Sequence, residues 1–369
     1  MKARTAALVL CATTLVAVPA ARAHQQTTSF AEIAYPVDGG DLVWRIRFRV
    51  ADVVRIAPGG NAAAVIAAGL RVSATRGETA LPCPRSGLSL QPDPSAPEPS
   101  SVLVARFACG PGARALHLRY DVLFDRDPYH ASYARLAVGE AAASDDASTV
   151  VFYDRQREVT LDVRQPEPLW RTALVYLRLG AAHILTGADH LAFLAALLLA
   201  AAVRGRRPAR PASNRQAVAA TLGIVSAFTV AHSTTLAAQV LHPGLVPTRW
   251  VEPAIAFSVA FVALENLLPR PPRGRWALVF GFGLVHGLGF ASALREIGLP
   301  RRGLVLSLVA FNLGVELGQL LVVALALPIL VAAARRDAER YERWALRALS
   351  SGIALVGLVW LVVRIARPH

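Results

Sequence analysis

Ionisable side chains occur inside the apolar segments of the C-terminal half of this chain. His183, Asp189 and His190 lie within eight residues of one otherwise apolar segment. An ionisable group inside a transmembrane helix costs about 2.5–3.5 kcal/mol on insertion scales, so three in one segment exceed what packing requires. Imidazole and carboxylate groups are ligands of divalent transition metals. The pattern therefore predicts a metal site among apolar helices.

Further apolar segments carry side chains of the same kinds. Asn312, Glu316 and Gln319 follow the i, i+4, i+7 spacing that places residues on one stripe of a helix. Asp189 and Glu265 are candidates to orient a liganding histidine through a hydrogen bond. The predicted metal ligands and supporting groups are His183, Asp189, His190, His232, His286, Glu316, Glu265 and Asn312.

The spacing of the first two histidines sets an expectation for their geometry. On a continuous helix, residues seven apart face the same side and lie about 10 Å apart along the axis. Two histidines at that distance cannot share one ion, so we expect His183 and His190 to take separate partners from other helices. Facing stripes of this kind predict a polar track that runs through the helix bundle.

The available ligand types restrict the metal. The membrane half contains neither cysteine nor methionine, which disfavours a Cu(I) path built from soft sulfur ligands. Imidazole, carboxylate and amide groups suit Ni²⁺, Co²⁺ or Zn²⁺. We expect such an ion as the transported substrate and no permanently bound cofactor. Gly283 and Gly287, beside His286, have the spacing that lets a second helix approach closely.

Simpler interpretations stay open for several polar residues. Intramembrane amides and hydroxyls often only join helices by hydrogen bonds, worth about 0.6 kcal/mol on average, and this interpretation applies to Asn266, Gln319 and Thr229. Glu252, beside Trp250, suits a solvated helix end. A serine follows His232, but adjacent residues on a helix point about 100° apart, so the pair does not form a nucleophilic dyad. With metal transport as the leading hypothesis, we predict that the chain is not an enzyme.

The elements that would position these residues are membrane helices. The chain is 54% hydrophobic, and its apolar residues are concentrated after residue 169, which excludes a single soluble globule. A span needs about 20 residues to cross the hydrocarbon core. We predict an all-α polytopic membrane bundle of about six transmembrane helices, at residues 175–200, 217–241, 251–268, 276–294, 304–332 and 349–363.

The arginines give the orientation. They cluster in the gaps at residues 204–215, 270–275 and 335–347, and the positive-inside rule places those gaps in the cytoplasm. The formal net charge of +14 therefore indicates a lipid bilayer as partner, not nucleic acid. The expected location is the bacterial inner membrane, with multiple spans and the N-terminal domain outside the cytoplasm.

The first half of the chain has a different pattern. Residues 1–23 have a charged start, an apolar run and a small-x-small end, which predict a signal peptide, with an uncleaved anchor as the alternative. Residues 24–164 alternate between apolar and polar side chains, which predicts a small all-β extracytoplasmic domain of sandwich type. Residues 165–174 contain two prolines and are predicted to be a linker, ahead of a transmembrane domain at 175–369.

Individual strands follow from the alternation. Trp44, Ile46 and Phe48 alternate with arginines, as expected of a half-buried antiparallel strand. Cys83 and Cys109 are able to form one disulfide if this half is exported. The segment 82–99 is interpreted as turn-rich. Strands are predicted at residues 42–50, 101–107, 116–124, 149–153 and 159–163.

Five segments of the membrane half follow one another in the order GAAHILTGADHLAF, FTVAHSTTL, VEPAIAFSVAFVALEN, HGLGFA and FNLGVELGQ. Taken together, they resemble the HupE/UreJ family, in its branch with an exported domain ahead of the membrane helices. The resemblance covers about residues 176–330 and implies a secondary nickel permease. The resemblance thus implies nickel or cobalt as the metal. This chain has a His-x5-Asp-His pattern where the better-known nickel–cobalt permeases have His-x4-Asp-His, and the extra residue rotates His183 by about 100° relative to the Asp-His pair. Zinc and copper therefore stay open as alternatives.

Three further hypotheses stay open. His24 becomes the N-terminus if cleavage follows Ala23, and its amine and imidazole would then chelate Cu²⁺ or Ni²⁺ outside the membrane. The chain is alternatively an intramembrane metal-dependent hydrolase, which a closed cluster of three histidines with one acid nearby would favour over a transporter. It is alternatively a membrane anchor that does not transport, with a periplasmic partner of the β-domain.

Overall fold

The computed structural model describes residues 28–36, 38, 40–57, 60–94, 96, 99–127, 130–139, 148–164, 168–204, 210–242, 246–268, 274–297 and 303–366. The predicted signal peptide at 1–23 and His24 lie outside the described residues. The chain forms two compact units. The described residues of His24–Val175 and Ala293–Ser307 form the β-rich unit, and Tyr176–Ser292 and Leu308–His369 form the helical unit.

The β-rich unit contains two sheets. One has six strands in the order β5-β6-β2-β1-β8-β9, and the other has four in the order β10-β7-β3-β4. Two short helices, α1 (Val50–Ile56) and α2 (Ala62–Ala68), follow β2. The strands are β1 (Thr28–Pro36), β2 (Asp41–Arg49), β3 (Leu70–Arg76), β4 (Thr79–Pro82), β5 (Arg85–Asp93), β6 (Ser100–Ala108), β7 (Ala115–Tyr120), β8 (Ala131–Gly139), β9 (Ser148–Tyr153) and β10 (Glu158–Asp162).

The alternating sequence of the strands builds one core from both sheets. Leu42, Trp44 and Ile46 of β2 are fully buried, whereas the arginines between them are exposed or half-buried. Leu116 and Leu118 of β7 in the second sheet belong to the same buried cluster. Burying such side chains contributes about 1.5–3 kcal/mol each. The prediction of a β-rich N-terminal region is therefore confirmed.

Some details of this unit differ from the sequence predictions. Segment 82–99 is not only turns, because it contains β5 at the edge of the larger sheet. Edge strands tolerate prolines such as Pro92, since they need not donate every backbone hydrogen bond. The helices α1 and α2 and the parallel pairing of β1 with β8 were also not predicted. A disulfide joins Cys83 and Cys109, the pair that the sequence allowed.

The helical unit is built from long helices with short connections. A two-stranded ribbon, β11 (Val203–Arg204) and β12 (Arg210–Pro211), lies between two of them. A short helix α9 (Ala338–Arg340) and a π-helical segment (Tyr341–Leu349) lead into the last helix. Most residues of the long helices belong to this unit. These helices are α3 (Leu169–Thr186), α4 (Ala188–Ala201), α5 (Asn214–Leu241), α6 (Thr248–Glu265), α7 (Arg275–Ile297), α8 (Leu304–Arg336) and α10 (Ser350–Ala366).

The number of spans is smaller than predicted when judged by length and composition. Three described helices are long and apolar enough to cross a membrane, namely Arg215–Leu241, Leu304–Arg336 and Ala338–Ala366. The bent pair α3 and α4 makes a fourth when counted as one span. Six spans are thus not confirmed. Helix α3 also begins at Leu169, inside the predicted linker, because a proline such as Pro168 suits the start of a helix.

Close helix contacts at glycines hold the unit together. A Cβ atom at Gly287 of α7 would overlap the backbone carbonyl oxygen of His232 of α5, so the two helices meet without a side chain between them. This confirms the close approach predicted for Gly283 and Gly287. A Cβ atom at Gly180 of α3 would overlap the carbonyl oxygen of Phe311 of α8. These contacts fix α3, α5, α7 and α8 around the histidines.

Candidate metal centre

A helix break brings the first two histidines together. Helices α3 and α4 meet at Gly187 and are bent by 67°. Gly187 has an extended backbone (φ −75°, ψ 103°), and a Cβ atom there would lie only 2.6 Å from the carbonyl oxygen of His183. Across the break, the ring centroids of His183 and His190 are 4.5 Å apart. The expectation of a separation near 10 Å on one continuous helix is therefore wrong.

A third histidine completes a closed cluster. His232 of α5 has its ring centroid 6.0 Å from that of His183 and 6.3 Å from that of His190. Candidate ligand nitrogens of the three rings all lie within 4.8 Å of one another. His190 and His232 are buried and His183 is half-buried. We call His183, His190 and His232 the histidine triad.

Buried ring nitrogens of the triad have no hydrogen-bond partner at bonding distance among the described residues. These atoms are Nε2 of His183, Nε2 of His190 and both ring nitrogens of His232. A buried polar atom without a partner costs about 1–3 kcal/mol, and such atoms are rare in native proteins. Several of them in one place fit a bound cation, because a neutral imidazole offers a lone pair to a metal.

Asp189 orients one histidine of the triad. Its Oδ1 atom lies 3.1 Å from Nδ1 of His190, and since a carboxylate only accepts, Nδ1 carries the hydrogen. Nε2 of His190 then holds the free lone pair. The other carboxylate oxygen, Oδ2, lies 3.5 Å from the guanidinium of Arg364 on α10. Arg364 also donates to the backbone carbonyl of Glu252 at 3.0 Å.

His286 lies beside the triad and not within it. Its ring centroid is 5.0 Å from that of His190. Nε2 of His286 is 2.8 Å from Oγ of Ser258 on α6, and both residues are buried. Nδ1 of His286 has no hydrogen-bond partner among the described residues.

Phenylalanines enclose the histidines. The ring centroid of Phe290 lies 4.1 Å from that of His183. Phe290 also stacks on Phe311, with ring centroids 5.0 Å apart. The ring centroid of Phe228 lies 6.0 Å from that of His232 and 5.3 Å from that of His286. Such an apolar layer lowers the local dielectric and strengthens the attraction between a cation and its ligands. Sequence reasoning did not single out these side chains, because a phenylalanine in an apolar segment carries no signal of its own.

The remaining predicted residues do not join the triad. Asn312 interacts with His232 of the triad through its side chain, and its amide nitrogen donates to the carbonyl of Leu308 at 2.8 Å. Glu316 accepts a hydrogen bond from the exposed Ser226 at 3.2 Å. Glu265 has its carboxylate 3.6 Å from Nε of Arg275, and it lies seven residues beyond Ser258, about 10 Å along α6. The predicted polar track is thus replaced by one compact cluster with separate polar pairs.

Two of the simpler interpretations fit the contacts. Thr229 donates to Gln319 at 2.8 Å, which joins α5 to α8. Asn266 donates to the carbonyl of Ala196 at 2.7 Å, which joins α6 to α4. Both contacts are the interhelical hydrogen bonds that the sequence allowed.

The cavity next to the triad is small and apolar. It has a volume of about 10 Å³, enough for one water molecule. Sites for organic ligands measure roughly 300–1,000 Å³. The described cavity therefore matches a small ion better than an organic substrate. Its walls are formed by Ile184, His190, Phe193, Leu194, Leu197, Val225, Phe228 and Gln319.

Comparison with known proteins gives one family. No curated protein matches the chain. A family model described as HupE / UreJ protein matches residues 159–364, which is more than half of the chain and includes every residue of the triad. The match begins within β10, and most of the β-rich unit precedes it. The chain therefore belongs to the HupE/UreJ family.

Proposed function

We propose that this chain is a secondary transporter of a divalent transition metal, with nickel or cobalt as the expected substrate and zinc or copper as alternatives. The observation that carries the proposal is the histidine triad at the break between α3 and α4. Transporters often build their substrate sites where a membrane helix is interrupted, because the interruption leaves groups free for the substrate. The HupE/UreJ family is associated with nickel or cobalt transport or with accessory functions.

The chemistry of the triad supports a borderline divalent ion. Three imidazoles without a sulfur ligand suit Ni²⁺, Co²⁺ or Zn²⁺. Asp189 supports His190 in the way that carboxylates support metal-bound histidines in other proteins, which raises the basicity of the ligand. In the proposal, the ion enters the triad and leaves it again as substrate, and no resident cofactor is required.

The location of the protein is part of the same proposal. The disulfide between Cys83 and Cys109 suits an oxidising compartment, which supports a β-rich unit outside the cytoplasm of a bacterium. The helical unit then lies in the inner membrane. In that arrangement the β-rich unit captures the metal or docks a periplasmic protein.

One observation favours a second candidate, an intramembrane metal-dependent hydrolase. Catalytic zinc sites commonly use three protein ligands and keep one position open for water. The triad with Asp189 nearby is the closed arrangement that the sequence analysis associated with this alternative. The water-sized cavity beside His190 would not itself admit an organic substrate.

Uptake of radiolabelled nickel tests the transporter directly. Cells expressing wild type, His190→Ala and His242→Ala at matched membrane levels are compared, with cobalt and zinc as competitors. His242 directly follows α5 as its C-cap and is exposed, so it controls for the loss of a histidine away from the triad. We expect accumulation by wild type and His242→Ala and none by His190→Ala. Equal accumulation by all three would remove the triad from any transport role.

Sealed proteoliposomes separate transport from the two alternatives. A transporter accumulates many ions per protein, and the ions are released when the vesicles are permeabilised. A hydrolase or an anchor retains at most a few ions per chain, whether the vesicles are sealed or open. Metal retention that is equal in sealed and open vesicles would therefore reject the transporter in favour of the hydrolase or the anchor.

A further inference from the structure

Ser258 and His286 form a buried pair whose proton positions follow from hydrogen-bond accounting. Oγ of Ser258 lies 2.7 Å from the backbone carbonyl oxygen of Ile255 and 2.8 Å from Nε2 of His286. A serine hydroxyl has one hydrogen to donate, and a carbonyl oxygen can only accept. The hydroxyl hydrogen therefore goes to Ile255. The hydrogen between Ser258 and His286 must come from Nε2 of the histidine.

This assignment determines the tautomer of His286. A neutral imidazole with its hydrogen on Nε2 has its lone pair on Nδ1. Nδ1 of His286 is the atom that has no partner among the described residues, although the side chain is buried. The ring lies 5.0 Å from His190 by centroids, so its free nitrogen belongs to the same enclosed region as the triad.

Hydrogen bonds fix His190 and His286 in opposite tautomers. Asp189 accepts from Nδ1 of His190 and leaves Nε2 free, whereas Ser258 accepts from Nε2 of His286 and leaves Nδ1 free. Hydrogen-bond partners of this kind decide which nitrogen of a histidine binds a metal. We propose that Ser258 is a positioning residue, which holds His286 with Nδ1 toward the ion so that His286 becomes a fourth ligand beside the triad.

The inference rests on the proposed function, because it assigns a ligand to the same ion. His286 is not among the three residues whose ligand atoms lie within 4.8 Å of one another, so binding of the ion would draw it toward His190. Loss of such a supporting hydrogen bond costs about 10–100-fold in metal affinity. A fourth nitrogen ligand also changes the visible spectrum of bound Co²⁺, which depends on coordination number and geometry.

The experiment is a Co²⁺ titration of the full-length protein purified in detergent, followed by visible absorption and by thermal unfolding. Wild type is compared with Ser258→Ala, which removes the hydroxyl, and with Ser258→Thr, which keeps it. Ser233→Ala serves as the matched control, since Ser233 is also an intramembrane serine that donates to a backbone carbonyl, that of Thr229 at 2.7 Å. We expect Ser258→Ala to weaken binding 10–100-fold and to shift the spectrum, while Ser258→Thr and Ser233→Ala resemble wild type.

The outcomes distinguish this inference from the proposed function. If wild type binds Co²⁺ through His190 but Ser258→Ala binds within twofold of wild type with an unchanged spectrum, the inference is overturned and the proposed site stands. If Ser258→Ala and Ser258→Thr weaken binding equally, Ser258 only fills space, and the inference is again overturned. If wild type binds no Co²⁺, both fail. A His286→Ala variant that loses the same spectral feature as Ser258→Ala supports the assignment without relying on the serine alone.

Discussion

The histidines of the two units differ in what their ring nitrogens contact. In the β-rich unit, His117 bridges two strands, with Nε2 2.7 Å from the hydroxyl of Thr75 and Nδ1 2.9 Å from that of Thr160. His130 is buried, and its Nε2 lies 3.1 Å from the hydroxyl of Tyr120. These rings have their hydrogen bonds within the protein. Their role is to join strands and to satisfy buried hydroxyls.

The triad in the helical unit has the opposite character. Its rings are close together in an apolar layer, and several of their nitrogens lack partners among the described residues. A histidine with complete hydrogen bonds supports the fold, whereas one with a free buried lone pair is available to a cation. Burial alone does not separate the two classes, because His130 and His232 are both buried. The hydrogen-bond partners of the ring nitrogens separate the two classes.

The largest expected effect comes from His232→Leu. The change removes a ring whose two nitrogens have no partner at bonding distance and replaces it with an apolar side chain. We expect affinity for Co²⁺ to fall by more than the roughly 10–100-fold that loss of a supporting residue costs, because a ligand itself is lost. The thermal midpoint of the metal-free protein should stay the same or rise, since an unsatisfied buried group is removed. A lower midpoint with unchanged affinity would mean that His232 supports the fold instead.

The mirror experiment is His130→Leu in the β-rich unit. This substitution removes a hydrogen-bond partner of the buried hydroxyls of Ser29 and Tyr120 and is expected to cost about 1–3 kcal/mol. Heat-induced exposure of the Cys83–Cys109 disulfide to reductant and an alkylating reagent reports on this unit. The midpoint should fall by several degrees, while affinity for Co²⁺ stays within twofold of wild type. A change in affinity comparable to that of His232→Leu would erase the distinction between the two classes.

Asp189→Asn gives a smaller effect on the triad. The amide oxygen still accepts from Nδ1 of His190, but the negative charge near the ion and Arg364 is lost. We expect roughly tenfold weaker binding of Co²⁺. This is the lower end of the roughly 10–100-fold range for loss of a residue that supports a metal ligand. Glu252→Gln is the matched control, because Glu252 also faces Arg364, at 4.0 Å, and contacts no histidine of the triad in the described residues. Equal losses in the two variants would assign the effect to Arg364 alone.

The sequence predicted the members of the triad but not their geometry. Polar side chains in apolar segments are expensive, and that cost alone identified His183, His190 and His232. The break at Gly187 was missed because a continuous helical period was assumed across it. A signal was present, since Gly187 is followed by Asp189, and an acidic residue in a first turn is typical of a helix start.

Other residues of the site needed the tertiary structure. Ser258 in an apolar helix is usually a simple interhelical hydrogen bond, and Phe290 is an ordinary membrane residue. Only the contacts with His286 and His183 give them a role. In the β-rich unit, strict alternation predicted β2 and β6 to within two residues, whereas the proline-containing edge strand β5 has little alternation and was missed. Local sequence patterns therefore predicted individual helices and strands. The residues that come together from different elements were identified only from the tertiary structure.

The smallest effect concerns acid and the β-rich unit. Burial alone would raise the pKa of Asp121, but hydrogen bonds and charge from Arg119 at 2.6 Å and Arg157 at 3.4 Å outweigh it, so the pKa is lowered. A carboxyl with a lower pKa in the folded state stabilises the fold above its unfolded pKa of about 3.9, and this stability is lost as the pH falls through the folded value. We expect the midpoint of disulfide exposure, measured with an acid-tolerant phosphine reductant and with alkylation after neutralisation, to fall as the pH drops from about 5 toward the lowered pKa of Asp121, and to fall less in Asp121→Asn.

The size of that difference is limited by solvent, because the guanidinium of Arg119 is 40% exposed and surface ion pairs contribute little. The shift should therefore be smaller than the one caused by His130→Leu, and salt should reduce it further. Identical acid profiles for wild type and Asp121→Asn would show that the ion pairs do not contribute. The stability of the β-rich unit would then come from its hydrophobic core and from completed hydrogen bonds such as those of His130.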